Sequence, residues 1–268
     1  MGISGAKRAL SKGTVMAEKE SDKDILNSLV KGLEVIVVMG KHDSLSMTEL
    51  ANITGMNRYL VRRIILTLES LGYVGREGRS LRLLPKVLDL GHAFMYSMDL
   101  WKIADPLIVE LVDAVQLSCT MSLLEGRDIV YIARRMSSRV SVSLPLQVGS
   151  RVPAHCTASG RVLLSGMADE DLDAWLNAEP LGKLTMMTET DPAKLRERIA
   201  QSRYDGWCRV DHELAIGNCS VAFPVRDRSG RIIAAISLSG KEEDLASPSI
   251  PDDLRAVTYR IESVLHRR

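Results

Sequence analysis

Apolar positions recur at helical spacing from Asp24 onward. Leu26, Leu29, Val30, Leu33 and Val37 form one stripe, and Gly40 ends it, which predicts a helix with that stripe turned inward. Ser46-Met47-Thr48-Glu49 has the residues of a capping box, in which Ser46 and Glu49 satisfy early backbone donors. A short helix with Leu50 and Ile53 inward should follow, and Gly55 supplies the turn. A longer helix is expected from about Asn57 to Leu71, burying Leu60, Ile64, Leu68 and Leu71. Tyr73–Val74 and Leu81–Leu84 read as short strands of a hairpin punctuated by Gly75 and Gly78. Pro85 suits the first turn of a further helix. Helical stretches near 86–96 and 99–116 come next, with Asp99 as N-cap of the second.

After Leu117 the period switches to strands. SCTMSLLEGRDIVYIARR reads as a hairpin about Gly126, and VSVSLP as another strand. Helices are expected over 157–167, 170–177 and 191–204, and a closing one over 251–266. GWCRVD, CSVAFPVRD and RIIAAISLSG are strand patterns. Strand and helix do not alternate regularly, so an antiparallel α+β domain is expected in preference to a doubly wound sheet. The organisation that follows is a loose tail (1–22), a small helical and hairpin domain (23–85), a linker helix (86–98) and an α+β domain (99–268).

Composition narrows the class. The 268 residues are 46% apolar and 26% charged, as in a soluble globular protein. Apolar runs such as Val35–Met39 are too short to span a membrane. The opening MGISGAKRAL has no apolar core, so no secretory signal is expected. Cys119, Cys156, Cys208 and Cys219 form no CxxC pair. That spacing suits neither a disulfide framework nor a standard zinc site, and a reducing cytoplasm is the expected setting. The net charge of +1 hides an asymmetry, since residues 1–86 carry 14 Lys/Arg against 9 Asp/Glu. A basic first third points to nucleic acid on that side.

Helix, capped short helix, glycine turn, arginine-bearing helix and glycine-containing hairpin are the parts of a winged helix-turn-helix. Reading a major groove needs a helix whose exposed face carries hydrogen-bond donors. Asn57, Arg58, Tyr59, Arg62 and Arg63 meet that need, with Arg58, Tyr59 and Arg62 placed for base edges. Thr48 and Glu49 begin the preceding helix, where amides can meet a phosphate. Arg76, Arg79 and Arg82 on the hairpin suit phosphates or a minor-groove edge.

Here a resemblance becomes specific. LVKGLEVIVVM, LSMTELANITGMNRYLVRRIILTLESLGYV and LRLLPKVLDLG resemble the IclR family of bacterial transcriptional regulators, as do PAHCTASGRVLL, RYDGWCRVDHELAIGNCSVAFPV and RIIAAISLSG. NRYLVRRIILTLESLGYV and VPAHCTASGRVLL are most similar to the branch governing aromatic-acid breakdown through the β-ketoadipate pathway. The resemblance covers about residues 25–265. It implies a winged helix on double-stranded operator DNA, a linker helix, and a GAF-like C-terminal domain that binds a small organic acid. It also implies homodimers or dimers of dimers, with no cofactor and no membrane.

Candidate effector residues follow from both routes. Thr157 is placed to cap a helix near Ala158, Ser159 and Gly160, where free amides favour an anion. The resemblance places this loop in the effector pocket. It also matches Asp211 and Glu213 to the family's acidic motif, and Ser220, Ser237 and Ser239 to its ligand contacts. Ser237 and Ser239 alternate, so they share a strand face. Met121 and Leu123 share a face and could supply apolar walls.

Three other readings compete. His155-Cys156, His212 and Ser220 could be assembled into a nucleophile and base, but no nucleophile elbow, Walker loop or dinucleotide fingerprint is present. His155, Cys156, Cys208, His212 and Cys219 could ligate zinc, at spacings that match no ligand motif. In the third reading the second domain only dimerises.

Overall fold

The computed structural model describes residues 25–97, 99–137 and 146–267, apart from the side chains of 95–99. These residues form two compact units that divide between Ser97 and Met98.

The first unit runs α1 (Asn27–Met39), β1 (Leu45–Ser46), α2 (Met47–Thr54), α3 (Arg58–Ser70), β2 (Val74–Glu77), β3 (Ser80–Leu83), a 3-10 turn (Pro85–Val87) and α4 (Leu88–Ser97). Local chemistry sets the boundaries. Ser46 Oγ accepts from Glu49 N at 3.3 Å while Glu49 Oε2 accepts from Ser46 N at 2.8 Å, completing the capping box. Gly55 closes α2 at φ 68°, a left-handed conformation that favours glycine. Asn57 Oδ1 caps α3 through Leu60 N at 2.8 Å. The strands form a small antiparallel sheet in the order β1-β3-β2, so α1, α2, α3 and this wing enclose a core around Val35, Leu50, Val61, Ile65 and Leu81.

Several inward faces differ from expectation. Leu26, Leu29, Val30, Leu33 and Val37 are exposed, and α1 buries Val35 and Met39 instead. The helix is apolar nearly all round, so its neighbours, and not the pattern, choose the buried side. Ile53 is exposed, and α3 buries Val61, Ile64, Ile65 and Leu68 while Leu71 lies at the surface. Two-residue β1 is too short to leave a pattern.

The second unit begins with α5 (Asp99–Val115). It continues through β4 (Ser118–Glu125), β5 (Asp128–Arg135), β6 (Arg151–Pro153), a 3-10 turn (Ala154–Cys156) and α6 (Ala158–Leu164). Then come α7 (Asp169–Asn177), α8 (Pro192–Asp205), β7 (Cys208–Asp211), β8 (Cys219–Arg226), β9 (Ile232–Gly240) and α9 (Ile250–Leu265). Its sheet is antiparallel throughout, ordered β6-β5-β4-β9-β8-β7. One face packs α6, whose Ala158, Val162 and Leu163 join Ile129, Tyr131, Ala222 and Ala235 in a core with α7 and α8. Helices α5 and α9 pack on each other and on the sheet. The expected VSVSLP strand, the Asp99 cap and the 1–22 tail lie outside the described residues. Among those described, no helix is long and apolar enough to cross a membrane.

Candidate functional site

The first unit presents α3 outward. Arg58, Tyr59, Arg62 and Arg63 are exposed, because Val61, Ile64, Ile65 and Leu68 occupy the opposite side of the same helix. The Arg63 guanidinium lies 5.8 Å from the Tyr59 ring centre, a cation–π distance that steadies both side chains. Thr48 is exposed in the first turn of α2. Arg79 is exposed at the hairpin turn beside Gly78, whose φ is 62°. Two expected DNA contacts are already engaged. Asn57 spends its carbonyl on the α3 cap, and Arg76 is held by Glu69 through Nε at 2.9 Å and a second bond at 3.3 Å. Arg82 faces Glu77 at 3.5 Å. Among the described residues, the arginines of this unit outside such ion pairs stand on α3 and at the hairpin tip, which is where a groove and its flanking phosphates would meet a winged helix.

The second unit holds a cavity of ≈ 40 Å³ between the sheet and the start of α6. Its walls include Ser118, Thr120, Tyr131, Arg134, Thr157, Ala158, Ser159, Asn218, Ser220, Ser237 and Ser239. Strand register explains why hydroxyls dominate. Ser118 pairs with Ser239, which pairs with Ser220. Thr120 pairs with Ser237 in the adjacent row, their hydroxyls 2.8 Å apart. Alternation then puts both rows on one face of the sheet. Thr120 also pairs with Arg134 of β5. Burial pushes the Tyr131 phenol up to about 12, so it keeps its proton and can donate.

The expected effector residues therefore separate. Thr157, Ala158, Ser220, Ser237 and Ser239 line the cavity. Met121 does not, because it pairs with Ile236 on the other face of the sheet. Gly160 stands behind the wall, where a Cβ would collide with the Ala154 backbone. Its amide is spent on Thr157 Oγ1 at 3.0 Å, and α6 has only seven residues, so the expected anion seat at its first turn is largely satisfied internally. Asp211 also lies off the cavity, beside Arg209 Nε at 3.0 Å.

Glu213 also lies off the cavity. Its Oε2 accepts from Arg161 at 2.6 Å and from Glu189 N at 2.9 Å, and its Oε1 accepts from Arg198 at 3.0 Å. Arg161, 2% exposed, also donates to His155 O at 2.9 Å. The acidic motif is thus a buried latch between α6, α8 and the β7–β8 loop, whose Leu214 and Asn218 rim the cavity. That loop starts at His212, held at φ 60°, whose Nδ1 accepts from Gly217 N at 3.0 Å.

Of the residues of the rival readings, His212 and Cys219 meet, with Cys219 Sγ 3.8 Å from His212 Nε2. Burial pushes the Cys156 thiol up to about 12 and those of Cys208 and Cys219 to about 11, so none is a thiolate nucleophile at neutral pH. His155 is buried with Nε2 2.9 Å from Gly182 O. Among the described residues no His, Cys, Asp and Glu cluster could hold a metal ion. Sequence reading missed Ser118, Thr120, Tyr131, Arg134 and Asn218 as cavity residues.

Comparisons with known proteins agree with this two-part arrangement. Residues 28–78 match the IclR helix-turn-helix domain, and residues 92–258 match the C-terminal domain of the bacterial transcriptional regulator IclR. The Pca regulon regulatory protein of Pseudomonas putida is 41% identical over 219 residues, covering 81% of this chain and 75% of that protein. The p-hydroxybenzoate hydroxylase transcriptional activator of Acinetobacter baylyi is 29% identical, covering 82% and 83%. A transcriptional regulator from Rhodococcus sp. RHA1 superposes with a TM-score of 0.81 at 37% identity, covering 90% of this chain and 98% of that one. An IclR homologue of Microbacterium hydrocarbonoxydans, crystallised with 4-hydroxybenzoate, shares the fold with a TM-score of 0.79 at 21% identity, covering 89% and 98%. This chain belongs to the IclR family of bacterial transcriptional regulators, with a helix-turn-helix DNA-binding domain followed by a C-terminal effector-binding domain.

Proposed function

We propose that this regulator binds operator DNA through α3 and the wing, and a small aromatic acid in the cavity of its second unit. The observation that carries the effector reading is the double row of hydroxyls on the cavity face, Ser118–Ser239–Ser220 beside Thr120–Ser237. Such a wall supplies donors and acceptors for carboxylate and phenol oxygens, and Tyr131, Leu146, Val210 and Leu214 supply surface for a ring. The identities of the Pca and p-hydroxybenzoate regulators among its relatives support an aromatic acid. The free space of ≈ 40 Å³ is that of a few waters. An aromatic ring must spread the walls on entering, so occupancy and a change of shape are one event. That difference between bound and unbound shapes is what a ligand needs to shift DNA affinity.

The reading includes self-association. The exposed stripe of Leu26, Leu29, Val30, Leu33 and Val37 supports a second copy as partner, since monomers rarely expose so continuous an apolar face. The site of action is the cytoplasm, where operator DNA is found. Calorimetric titration of the full-length protein with 4-hydroxybenzoate and 3,4-dihydroxybenzoate tests the effector. Gel shifts on the DNA beside its own gene, with and without the bound acid, test the regulation. Saturable acid binding that alters specific DNA affinity supports the reading. Absence of binding by both acids overturns the effector half, and DNA binding no tighter than to random competitor overturns the operator half.

A further inference from the structure

We propose that Ser118 is the side chain with which the cavity takes hold of its acid, through a hydroxyl that folding leaves unbonded and that a ligand oxygen engages. This rests on the effector reading above and names the contact that the ligand gains. Strand β4 runs unbroken where it forms the wall. It pairs with β9 in steady register, Ser118 opposite Ser239, Thr120 opposite Ser237 and Ser122 opposite Ala235. On its other side the β5 ladder slips, since Met121 pairs with Ala133 and then Ser122 with Tyr131, which makes Ile132 an extra residue, a β-bulge, on β5. The bulge belongs to β5, so the alternation along β4 stands, and Ser118, Thr120 and Ser122 share the cavity face.

The hydroxyls of this face differ in what they are free to do. Thr120 Oγ1 and Ser237 Oγ satisfy each other at 2.8 Å, so a ligand that bonded either would compete with that bond. Ser220 Oγ leans on Val210 O at 3.5 Å. Thr157 Oγ1, at the start of α6, accepts from Gly160 N at 3.0 Å. Ser118 lines the cavity and is 3% exposed, yet its Oγ makes no hydrogen bond to any described residue, Ser239 opposite it included. A buried polar group without a partner in the protein is costly. A ligand oxygen within reach of Ser118 removes that cost and breaks no existing bond. Ser122 Oγ is likewise unbonded and the residue is 0% exposed, but Ser122 is not among the residues that line the cavity. Residue type, strand and face are the same in both, so access to the cavity is what separates them. The complementary molecule is small and brings an oxygen to the Ser118–Ser239–Ser220 row. A serine hydroxyl both donates and accepts, so it suits the oxygen of a carboxylate or of a hydroxyl.

The test is calorimetric titration of full-length wild type, Ser118→Ala and Ser122→Ala with 4-hydroxybenzoate and 3,4-dihydroxybenzoate, alongside the melting temperature of each protein without acid. Ser118→Ala should bind the acid that the wild type binds roughly 5- to 50-fold more weakly, which is what a ligand oxygen loses with its buried partner. It should melt no lower than the wild type, since the hydroxyl removed holds nothing in the folded chain. Ser122→Ala should melt likewise and keep wild-type affinity. This pattern separates a ligand contact from a structural residue, whose loss would lower affinity and melting temperature together. Wild-type affinity in Ser118→Ala overturns the assignment and leaves the aromatic-acid reading standing. So does an equal loss in both variants, which would trace the effect to the packing of β4. A Ser118→Ala protein that fails to fold, or melts several degrees lower, also overturns it, because the hydroxyl would then have a role in the fold. A wild type that binds neither acid overturns the effector reading itself, and this inference with it.

Discussion

Replacing Glu213 with alanine should cost stability, not ligand contact. Arg161 is 2% exposed and is held by Glu213 Oε2 at 2.6 Å, with one further bond to His155 O at 2.9 Å. Removing the carboxylate leaves a buried guanidinium with most of its charge uncompensated; Glu189 N loses its acceptor, and Arg198 keeps only its pairing with Glu189 at 3.3 Å. Breaking one side of a buried pair costs about 3–5 kcal/mol. In a unit of this size each kcal/mol lowers the melting temperature by roughly 2–4 °C, so the second unit should melt about 6–20 °C lower. Thermal unfolding followed by circular dichroism on wild type and Glu213→Ala measures this. The double variant Arg161→Met with Glu213→Leu should recover much of the loss, because an apolar pair of similar volume can replace a buried ion pair. A Glu213→Ala protein that melts within about 1 °C of wild type yet no longer binds the acid would refute the reasoning, because a contribution that small is what an exposed pair makes. Glu213 would then be a ligand contact after all.

Other consequences are equally direct. Arg58→Ala should weaken operator binding by about 1–3 kcal/mol and relax preference at one base position; unchanged affinity and preference in a gel-shift series would remove Arg58 from the interface. Gly160→Ala should destabilise the second unit by about 1–3 kcal/mol or more, since its Cβ meets the Ala154 backbone, which cannot rotate away; chemical denaturation measures this, and a neutral effect would contradict the close approach. Burial holds the His155 pKa below its usual 6.5. The unfolded chain therefore takes up a proton that the folded chain refuses. This contribution is complete above pH 6.5 and is lost as pH falls from there through the lowered folded value. Wild type should lose more melting temperature between pH 7 and 5 than His155→Gln does, and parallel curves would show that His155 is not the group responsible.

Much of this protein can be read from its linear pattern, and the reason is locality. The Ser46–Glu49 box, the Asn57 cap and the Gly55 turn involve residues within three or four positions of one another. Their chemistry is complete in a short window. The same holds for the strand alternation that puts Ser237 and Ser239 on one face, and for the exposed arginines of α3 opposite a clear apolar stripe.

What failed depended on partners distant in the chain. The α1 stripe was assigned inward, but a helix apolar on nearly all sides has its buried face chosen by α2, α3 and the wing. Glu213 is a ligand candidate only through its match to the family's acidic motif, and nothing near it in the sequence announces Arg161, 52 positions earlier. Met121 was set on the cavity side because a strand pattern shows which residues share a face, and not which face meets the cavity. Arg134 was overlooked because period-two reading cannot see a bulge. The extra residue at Ile132 exists only relative to β4, and it reverses every orientation beyond it. The sequence alone thus determined the order of elements, their caps and the two kinds of domain, all of which follow from local backbone chemistry. Only the tertiary structure decided which faces turn inward, which charges pair and which side chains line the cavity, because those outcomes belong to pairs of residues that the chain brings together on folding.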